Sequence, residues 1–362
     1  MKSDFLSGTI GEFNDHQGTI AMFPFRKDIW RDNAIHMQNY IIELVSIISK
    51  YEPVYLFCQK NLIDKIKNIS ENVTIVIAEY DDIWARDIRP TFVNNNGKIE
   101  CIDWRFNSWG GRKEGAYFPW DADDNFASAV SSYFGVKCNK INIVLEGGGI
   151  ATDGNGTIFT TRSVLLNRNR NPFKRKEFIE DEILGATHDK RIVWLDQGLA
   201  YDETNGHIDN ILSFVNYNEL CLAWTDDKHN PNYQRIRKAF SILSNIKNLN
   251  GDKYKIHLIP LPPTQYMNEK EAKGLWQNPN ALPRKNGDIL PASYLNYYIF
   301  NGAVLIPSFG CNTDEQVKDI FRRIFPKKEI IQIYSREPLL GGGGIHCLLH
   351  EVPRLEGKIC NL

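Results

Sequence analysis

The chain alternates short runs of β-branched residues with segments whose apolar residues recur at helical spacing, and this alternation limits the folds it can adopt. Five runs predict strands, at residues 73–78, 141–145, 191–195, 255–260 and 329–334. Five segments predict helices, at residues 33–50, 121–134, 174–184, 232–243 and 313–324. Because alternating strands and helices pack as layers of both kinds, the sequence predicts an α/β protein.

Four of the five predicted strands are soon followed by a polar cluster. The clusters contain Asp87, Glu146, the pair His207 and Asp209, and Cys347, whereas the fourth strand leads into prolines at 260–263. The spacings are uneven and no residue pattern recurs, so sequence periodicity does not establish repeats. The arrangement does indicate that polar groups lie at equivalent strand ends, where they can converge on one site.

Charge and cysteine usage restrict the partners and the compartment. The chain has 43 Lys and Arg against 44 Asp and Glu, a net charge of −1, which leaves no cation excess to neutralise phosphates. The longest apolar stretch, residues 41–57, is interrupted by charged residues, and the N-terminus lacks the apolar segment of a signal peptide. Seven scattered cysteines contain no CxxC pair. We expect a soluble cytoplasmic protein without a nucleic-acid or membrane partner.

Cys347 follows four glycines and the pair Ile345 and His346. Unshielded backbone N–H groups in such a loop predict a thiol whose pKa is lowered, although a buried structural cysteine is the favoured interpretation of this motif alone. His346 and His350 would share a helix face suitable for a metal. The flanking glycines and Pro353 leave little room for a helix, so no metal is expected.

His207 and Asp209 are two residues apart, so in a strand their side chains would project from one face as an acid/base imidazole and a carboxylate. A loop turn with a surface histidine explains this motif equally well. Taken singly, Asp87 fits a surface ion pair, Trp84 and Trp109 fit the core, and Glu146 is ambiguous.

The combination of these residues is more informative than any one of them. A Cys–His pair alone indicates a thiol peptidase. Several carboxylates and tryptophans fit a guanidinium, whose paired N–H groups match carboxylates and whose flat face stacks on indole. Its central carbon is a poor electrophile and needs a nucleophile as strong as thiolate. The set of residues therefore indicates guanidine chemistry.

Motifs along nearly the whole chain strengthen this interpretation. They include WARDIRPTF at 84–92, DWRFNSWGG at 103–111, EGGG at 146–149, ETNGHID at 203–209 and GGGIHC at 342–347. With these motifs in this order, the sequence resembles the agmatine deiminases, within the superfamily of guanidine-modifying deiminases and amidinotransferases.

The resemblance implies a single catalytic domain over residues 1–362, folded as a five-bladed α/β propeller with a central active site. It implies that agmatine and water give N-carbamoylputrescine and ammonia, with no metal or organic cofactor, and it leaves the oligomeric state open. The implied catalytic residues are Cys347 as nucleophile, His207 as general acid/base, Asp87 and Asp209 as guanidinium clamps, and Glu146 as a supporting carboxylate. The implied substrate-binding residues are Trp84, Trp109, Gly343 and Gly344.

Five positions depart from the family pattern near these motifs. Gly344 replaces a usual Asn, Arg89 a Gly, His350 a Gln, Gly149 a Ser and Ala151 a His. Arg89 is expected to be exposed, because charged side chains rarely line pockets. The departures leave alternatives to agmatine hydrolysis open: deimination of free or peptidyl arginine, amidinotransfer to an amine, and a silent guanidine- or polyamine-binding module.

Overall fold

The computed structural model describes residues 7–354, and these form a mixed α/β structure with five sheets of three or four strands. Each sheet contains a parallel pair of strands, one of which also has an antiparallel neighbour. In spatial order, sheet 1 contains His350–Pro353, His16–Met22, Val54–Cys58 and Val73–Ile77; sheet 2 contains Gly8–Thr9, Thr91–Asn95, Lys98–Arg105 and Cys138–Val144. Sheet 3 contains Ile150–Thr152, Thr157–Thr161 and Arg191–Leu195; sheet 4 contains Leu212–Asn216, Glu219–Trp224 and Lys255–Pro260; sheet 5 contains Tyr298–Phe300, Ala303–Ser308 and Glu329–Tyr334. A separate small sheet pairs Gln265–Tyr266 with Ile289–Leu290.

A helix connects two parallel strands in every one of the five sheets, because parallel neighbours require a crossover. In chain order these helices are Ile35–Ile48, Phe126–Phe134, Lys176–Thr187, Tyr233–Asn245 and Thr313–Ile324. Shorter helices are Ala85–Ile88, Gly111–Glu114, Asp121–Asp124, Arg162–Leu165, Glu269–Lys273, Arg336–Leu340 and Ile345–Leu348. Turns of 3₁₀ helix are Asp32–Ala34, Lys60–Lys65, Gly147–Gly149 and Ile208–Asn210.

The α/β class and the five predicted strands are confirmed, and four predicted helices differ from the observed ones by a few residues at most. The helix predicted at 121–134 is divided. Asn125 has φ −106° and ψ −2°, which interrupts the regular helix between Asp121–Asp124 and Phe126–Phe134.

The first crossover helix shows how hydrophobic spacing places the helices. Its predicted apolar residues Ile41, Leu44, Val45 and Ile48 are completely buried. They lie on the side that packs against the parallel strands of sheet 1. Each such side chain contributes about 1.5–3 kcal/mol through the apolar surface removed from water.

Each of the five predicted strands is the last parallel strand of its sheet in chain order. From there the chain passes through linkers at 78–90, 145–149, 196–211, 261–297 and 335–349 before the next sheet begins. These linkers carry the candidate site, which explains why polar clusters follow strands in the sequence. Within residues 7–354, no helix is both long and apolar enough to span a bilayer.

Candidate active site

Four linkers bring the predicted catalytic residues together. Cys347, His207, Asp87, Asp209 and Glu146 are each at most 6% exposed. Gly148 lies between three of them, since a Cβ at this glycine would be 2.7 Å from His207 Nδ1, 2.8 Å from Asp209 Oδ2 and 3.0 Å from Asp87 Oδ1. Only a residue without a side chain can occupy this position while the three groups keep their places.

The expectation that His207 and Asp209 project from a strand is wrong. They lie at a 3₁₀ turn, Ile208–Asn210. Thr204 Oγ1 accepts a hydrogen bond from the His207 N–H at 3.0 Å. Because this side chain takes a backbone N–H that a neighbouring strand would otherwise bind, it favours a turn. Both side chains nevertheless face Gly148.

Asp87 is not a surface residue, so its interpretation as an exposed ion pair is also wrong. It lies on the one-turn helix Ala85–Ile88 and is 5% exposed. Its Oδ1 accepts from the Gly148 N–H and its Oδ2 from Trp109 Nε1, both at 2.8 Å. Burial raises the pKa of Asp87, and the nearby His207 only partly offsets this effect.

Two carboxylates keep His207 protonated. Its Nδ1 is 3.8 Å from Asp87 Oδ2, and its Nε2 is 3.7 Å from Glu146 Oε2. Burial alone would lower the imidazole pKa, but the negative charges of Asp87 and Glu146 raise it to about 9. Glu146 remains ionised because Arg170 Nε donates to it at 2.6 Å; the Arg170 charge overcomes burial and lowers the Glu146 pKa to about 2.

The thiol of Cys347 is protonated in the free protein, contrary to the expectation of a lowered pKa. Burial and the charges of Asp209 and Asp87 raise this pKa well above its usual value. The backbone N–H of Gly344 and the Asn296 side chain act in the opposite direction without prevailing. Asn296 Nδ2 lies 3.2 Å from Cys347 Sγ, which in turn lies 3.7 Å from Asp209 Oδ2.

A narrow pocket opens onto Cys347 and has aromatic walls. Trp84, Trp109, Asp87 and Gly343 line it together with the thiol residue. The two indole rings are 6.2 Å apart and nearly perpendicular, at 85°. The backbone of Gly343 packs directly against the Trp84 ring, because a Cβ at this position would lie 2.4 Å from the ring.

Gly344 does not line this pocket, unlike the other predicted substrate-binding residues. It packs against Asn296, whose Oδ1 would be 2.4 Å from a Cβ at position 344. A side chain at this position would therefore displace Asn296, which orients the thiol.

The mouth of the pocket contains charged residues that the sequence did not single out. Arg284 pairs with both carboxylate oxygens of Glu203, at 2.5 and 2.6 Å, and donates to the Gly341 carbonyl at 2.8 Å. Glu114 also lines the mouth, and its Oε2 accepts from Asn169.

Further residues that orient the site escaped the sequence reasoning. Gly148 lies in EGGG at 146–149, Arg170 in LLNRNRNP at 165–172 and Asn296 in ASYLNYY at 292–298, and the resemblance of these motifs to the agmatine deiminases was the available signal. Glu12 has no such motif. It lies 3.0 Å from His346 Nε2, while His346 Nδ1 lies 2.9 Å from Asp209 Oδ2, so Glu12 and His346 hold the Asp209 carboxylate in place.

His346 and His350 do not form a metal site with Cys347. His346 contacts Asp209 and Glu12, whereas His350 lies 2.8 Å from Glu351 and stacks on Phe92. Within the described part of the chain, no three or more His, Cys, Asp or Glu side chains are grouped so that they could hold a metal ion.

Comparison with solved structures defines the class of protein. The agmatine deiminase of Enterococcus faecalis is 31% identical, with a TM-score of 0.92 and coverage of 96% of each chain. DDAH from Pseudomonas aeruginosa has a TM-score of 0.51 at 12% identity, over 93% of this chain and 99% of its own, a likeness of fold alone. The protein thus has the mixed α/β fold common to agmatine deiminase and DDAH.

Sequence comparison defines the family. The model of the Porphyromonas-type peptidyl-arginine deiminases matches residues 9–353. A Listeria monocytogenes protein named "Putative agmatine deiminase 1" is 40% identical over 347 residues, which is 95% of either chain. The chain therefore belongs to the Porphyromonas-type peptidyl-arginine deiminase family, and the resemblance to the agmatine deiminases is confirmed.

Proposed function

We propose that this protein is an agmatine deiminase, which hydrolyses agmatine to N-carbamoylputrescine and ammonia through a covalent adduct on Cys347. One observation carries the proposal: the thiol and the Asp87 carboxylate line a tryptophan-walled pocket, directly beside Asp209 and a protonated imidazole. Relatives with the agmatine deiminase name support the choice of substrate.

The site is prepared for a buried cation. Asp209 Oδ1 and Glu146 Oε2 are buried acceptors without a hydrogen-bond partner within residues 7–354. A guanidinium presents paired N–H donors to such oxygens and stacks its face on an indole such as Trp84. Because an unpartnered buried acceptor is costly, the substrate relieves this cost when it binds.

Guanidinium binding activates the nucleophile. The charges of Asp87 and Asp209 raise the thiol pKa, and the bound cation neutralises them, so Cys347 loses its proton when substrate arrives. Asp209 Oδ2, at 3.7 Å from Sγ, is the carboxylate oxygen placed to receive that proton. The thiolate then forms a bond to the guanidinium carbon.

His207 completes the two chemical steps. In the first, the protonated imidazole gives its proton to a departing amino group, the C–N bond breaks, ammonia leaves, and a thiouronium-like adduct remains. In the second, the now neutral imidazole takes a proton from water, whose oxygen bonds to the same carbon. Collapse breaks the C–S bond, releases the ureido product and regenerates the thiolate, and the second water proton converts ammonia to ammonium.

The pocket mouth favours agmatine over arginine. Arg284 is the cation that could receive an α-carboxylate, but Glu203 and the Gly341 carbonyl already hold it. Since Arg284 and Glu203 neutralise each other, Glu114 leaves the mouth with one negative charge in excess, which suits the agmatine ammonium group. Arg89 does not line this pocket, so it cannot select arginine there.

We also propose that the five sheets are blades of one propeller and that residues 1–362 form one catalytic domain. The repeated strand–strand–helix–strand order supports this arrangement, as do five linkers that each supply a residue to the site or its support. The fifth such residue is Asn296, from the linker at 261–297. A cytoplasmic location is supported by six described cysteines that form no disulfide among themselves.

Ammonia and ureido-product assays with agmatine, free arginine and an N-blocked arginine peptide test the proposal. We expect agmatine to exceed each of the others by at least about tenfold in kcat/KM, roughly 1.4 kcal/mol of transition-state binding. Equal or better turnover of arginine or the peptide would overturn the substrate assignment and favour the peptidyl-arginine activity in the family's name.

Cys347→Ser tests the nucleophile in the same assay. We expect turnover to fall by at least about a thousandfold, because an alkoxide is far less available than a thiolate near neutral pH. Cys138→Ser is the matched control, since Cys138 is a free thiol on strand Cys138–Val144, away from the pocket. Retained activity in Cys347→Ser would refute the covalent mechanism.

A further inference from the structure

A second cavity lies behind the active site and contains a buried arginine without a carboxylate partner. The cavity has a volume of about 90 Å³, and Arg89, Thr91, Phe92, Thr152 and Leu212 are among the residues that line it. Three carboxylates line it as well, but each already has a partner: Arg86 pairs with Glu12 and Glu351, and His346 with Asp209. Arg89 is only 8% exposed, so the prediction that it lies at the surface is wrong. It lies across the backbone of Gly147 from the catalytic groups, with Nη2 3.1 Å from a Cβ built on that glycine.

Arg89 differs in this respect from every neighbouring cation. Arg86 pairs with Glu12 and Glu351, and Arg170 pairs with Glu146. Within residues 7–354, Arg89 has no carboxylate within 4.0 Å, and its one recorded hydrogen bond goes from Nη1 to the Pro90 carbonyl, at 2.6 Å. Its buried Nε has no acceptor there either. A buried charge without a partner costs several kcal/mol, so such a group has a reason to bind an anion.

The free edge of the guanidinium indicates which anion. Since Nη1 is occupied, Nε and Nη2 remain, and these two groups form the side-on fork that matches the two oxygens of a carboxylate. Burial lowers the pKa of Arg89 to about 9 despite the more distant Glu351 charge, so the fork is still cationic at neutral pH.

Other groups in the cavity fit the same ligand. Thr152 Oγ1 accepts from the Gly154 N–H at 2.9 Å and lies 2.6 Å from Thr9 Oγ1, so it adds a polar group to the wall. Thr91 Oγ1 likewise accepts from Trp104 Nε1, at 2.9 Å. Phe92 and Leu212 supply apolar wall. A cavity of this size holds a ligand of a few heavy atoms.

We propose that this cavity binds a small organic carboxylate through Arg89, and that the bound anion strengthens substrate binding at the active site. Asp209 and His346 line the same cavity, and Asp209 faces the reacting thiol. A guanidinium on one side of this buried cluster and an anion on the other carry opposite charges, so each favours the other. The effect on substrate binding rests on the proposed agmatine activity, whereas the binding of a carboxylate at Arg89 does not.

Thermal unfolding of the full chain tests binding without any turnover. Acetate is the probe, exchanged for chloride up to about 50 mM at constant ionic strength. We expect the wild-type Tm to rise by about 1–3 °C, since a ligand that binds only the folded state stabilises it. Arg89→Met should lose this shift, while Arg354→Met, which changes an arginine 76% exposed in its side chain, should keep it.

The outcomes separate the two parts of the proposal. An unchanged wild-type Tm, or an acetate shift retained in Arg89→Met, would overturn the site. If Arg89→Met does not fold, calorimetric titration of the wild type with acetate decides, and an absence of saturable heat overturns it. In the kinetic arm, acetate should lower the KM for agmatine about fivefold in the wild type alone. A Tm shift with an unchanged KM would overturn only the coupling, and inactivity toward agmatine would leave the binding result intact.

Discussion

Replacement of Glu146 by Gln should shift the alkaline limit of catalysis to lower pH. In the proposed mechanism His207 must be protonated when it gives a proton to the leaving group, and two carboxylates raise its pKa to about 9. In the wild type, kcat/KM should therefore stay level up to about pH 9 and fall above it. This limit lies below the loss of the substrate ammonium charge, which for a lysine-like amine occurs near about 10.4.

The distances bound the size of the shift. Glu146 Oε2 and Asp87 Oδ2 lie at 3.7 and 3.8 Å from the two imidazole nitrogens, so they stabilise the charged ring about equally. The folded-state pKa exceeds the ordinary 6.5 even though burial lowers it. Asp87 and Glu146 supply most of the rise and Asp209 a smaller part, so Glu146→Gln should lower the limit by about one pH unit.

Steady-state kcat/KM between about pH 6 and 10.5 measures this limit. Glu52→Gln is the matched control, because Glu52 also pairs with a buried histidine, His16 at 3.3 Å, outside the catalytic residues. That variant should keep the wild-type limit. The same limit in Glu146→Gln and the wild type would refute the acid role assigned to His207, and an equal shift in Glu52→Gln would show that the limit reports folding.

Two further changes probe the shape and charge of the pocket. Gly148→Ala should abolish turnover, because the new Cβ would lie 2.7–3.0 Å from His207, Asp209 and Asp87, while circular dichroism should show that the fold is retained. At the control position Gly185 nothing lies within 4 Å of a Cβ, so Gly185→Ala should remain active and gain up to about 1 kcal/mol of stability. Glu114→Gln should raise the KM for agmatine up to about fivefold with kcat unchanged, the size of a solvent-exposed charge interaction, and the exposed Glu315→Gln should change neither constant. Full activity in Gly148→Ala, or an unchanged KM in Glu114→Gln, would contradict these roles.

The five predicted strands and the long helices could be identified because each carries its own signal in the sequence. Strand Arg191–Leu195 is a short, mostly apolar run. In the helix Thr313–Ile324 the apolar residues recur at regular helical spacing, and this pattern stops at both ends of the helix. The short helices, such as Ala85–Ile88 and Ile345–Leu348, were not predictable in this way. A single turn buries too little surface to impose a period, so contacts from other linkers determine its conformation.

Which residues gather at the candidate site was predictable, whereas their electrostatics were not. Residue types and motifs were sufficient to single out Cys347 and His207. The raised pKa of Cys347 comes from burial and from Asp209, which is 138 residues away in sequence and 3.7 Å away in space. The neighbours Arg86 and Arg89 likewise differ only in which distant carboxylates reach them.

The protonated thiol follows from a charge balance that the substrate completes. Around Cys347 lie three carboxylates, of Asp87, Asp209 and Glu146, and two cations, Arg170 and the imidazolium of His207, while the adjoining pair of His346 and Glu12 brings one group of each sign. One negative charge is thus in excess while the pocket is empty, and a thiolate would add a second in a buried environment. A guanidinium would remove the excess, so in the proposed mechanism the cationic substrate also creates the nucleophile that attacks it. A neutral amide substrate brings no such charge, so this mechanism suits guanidine hydrolysis rather than peptide cleavage.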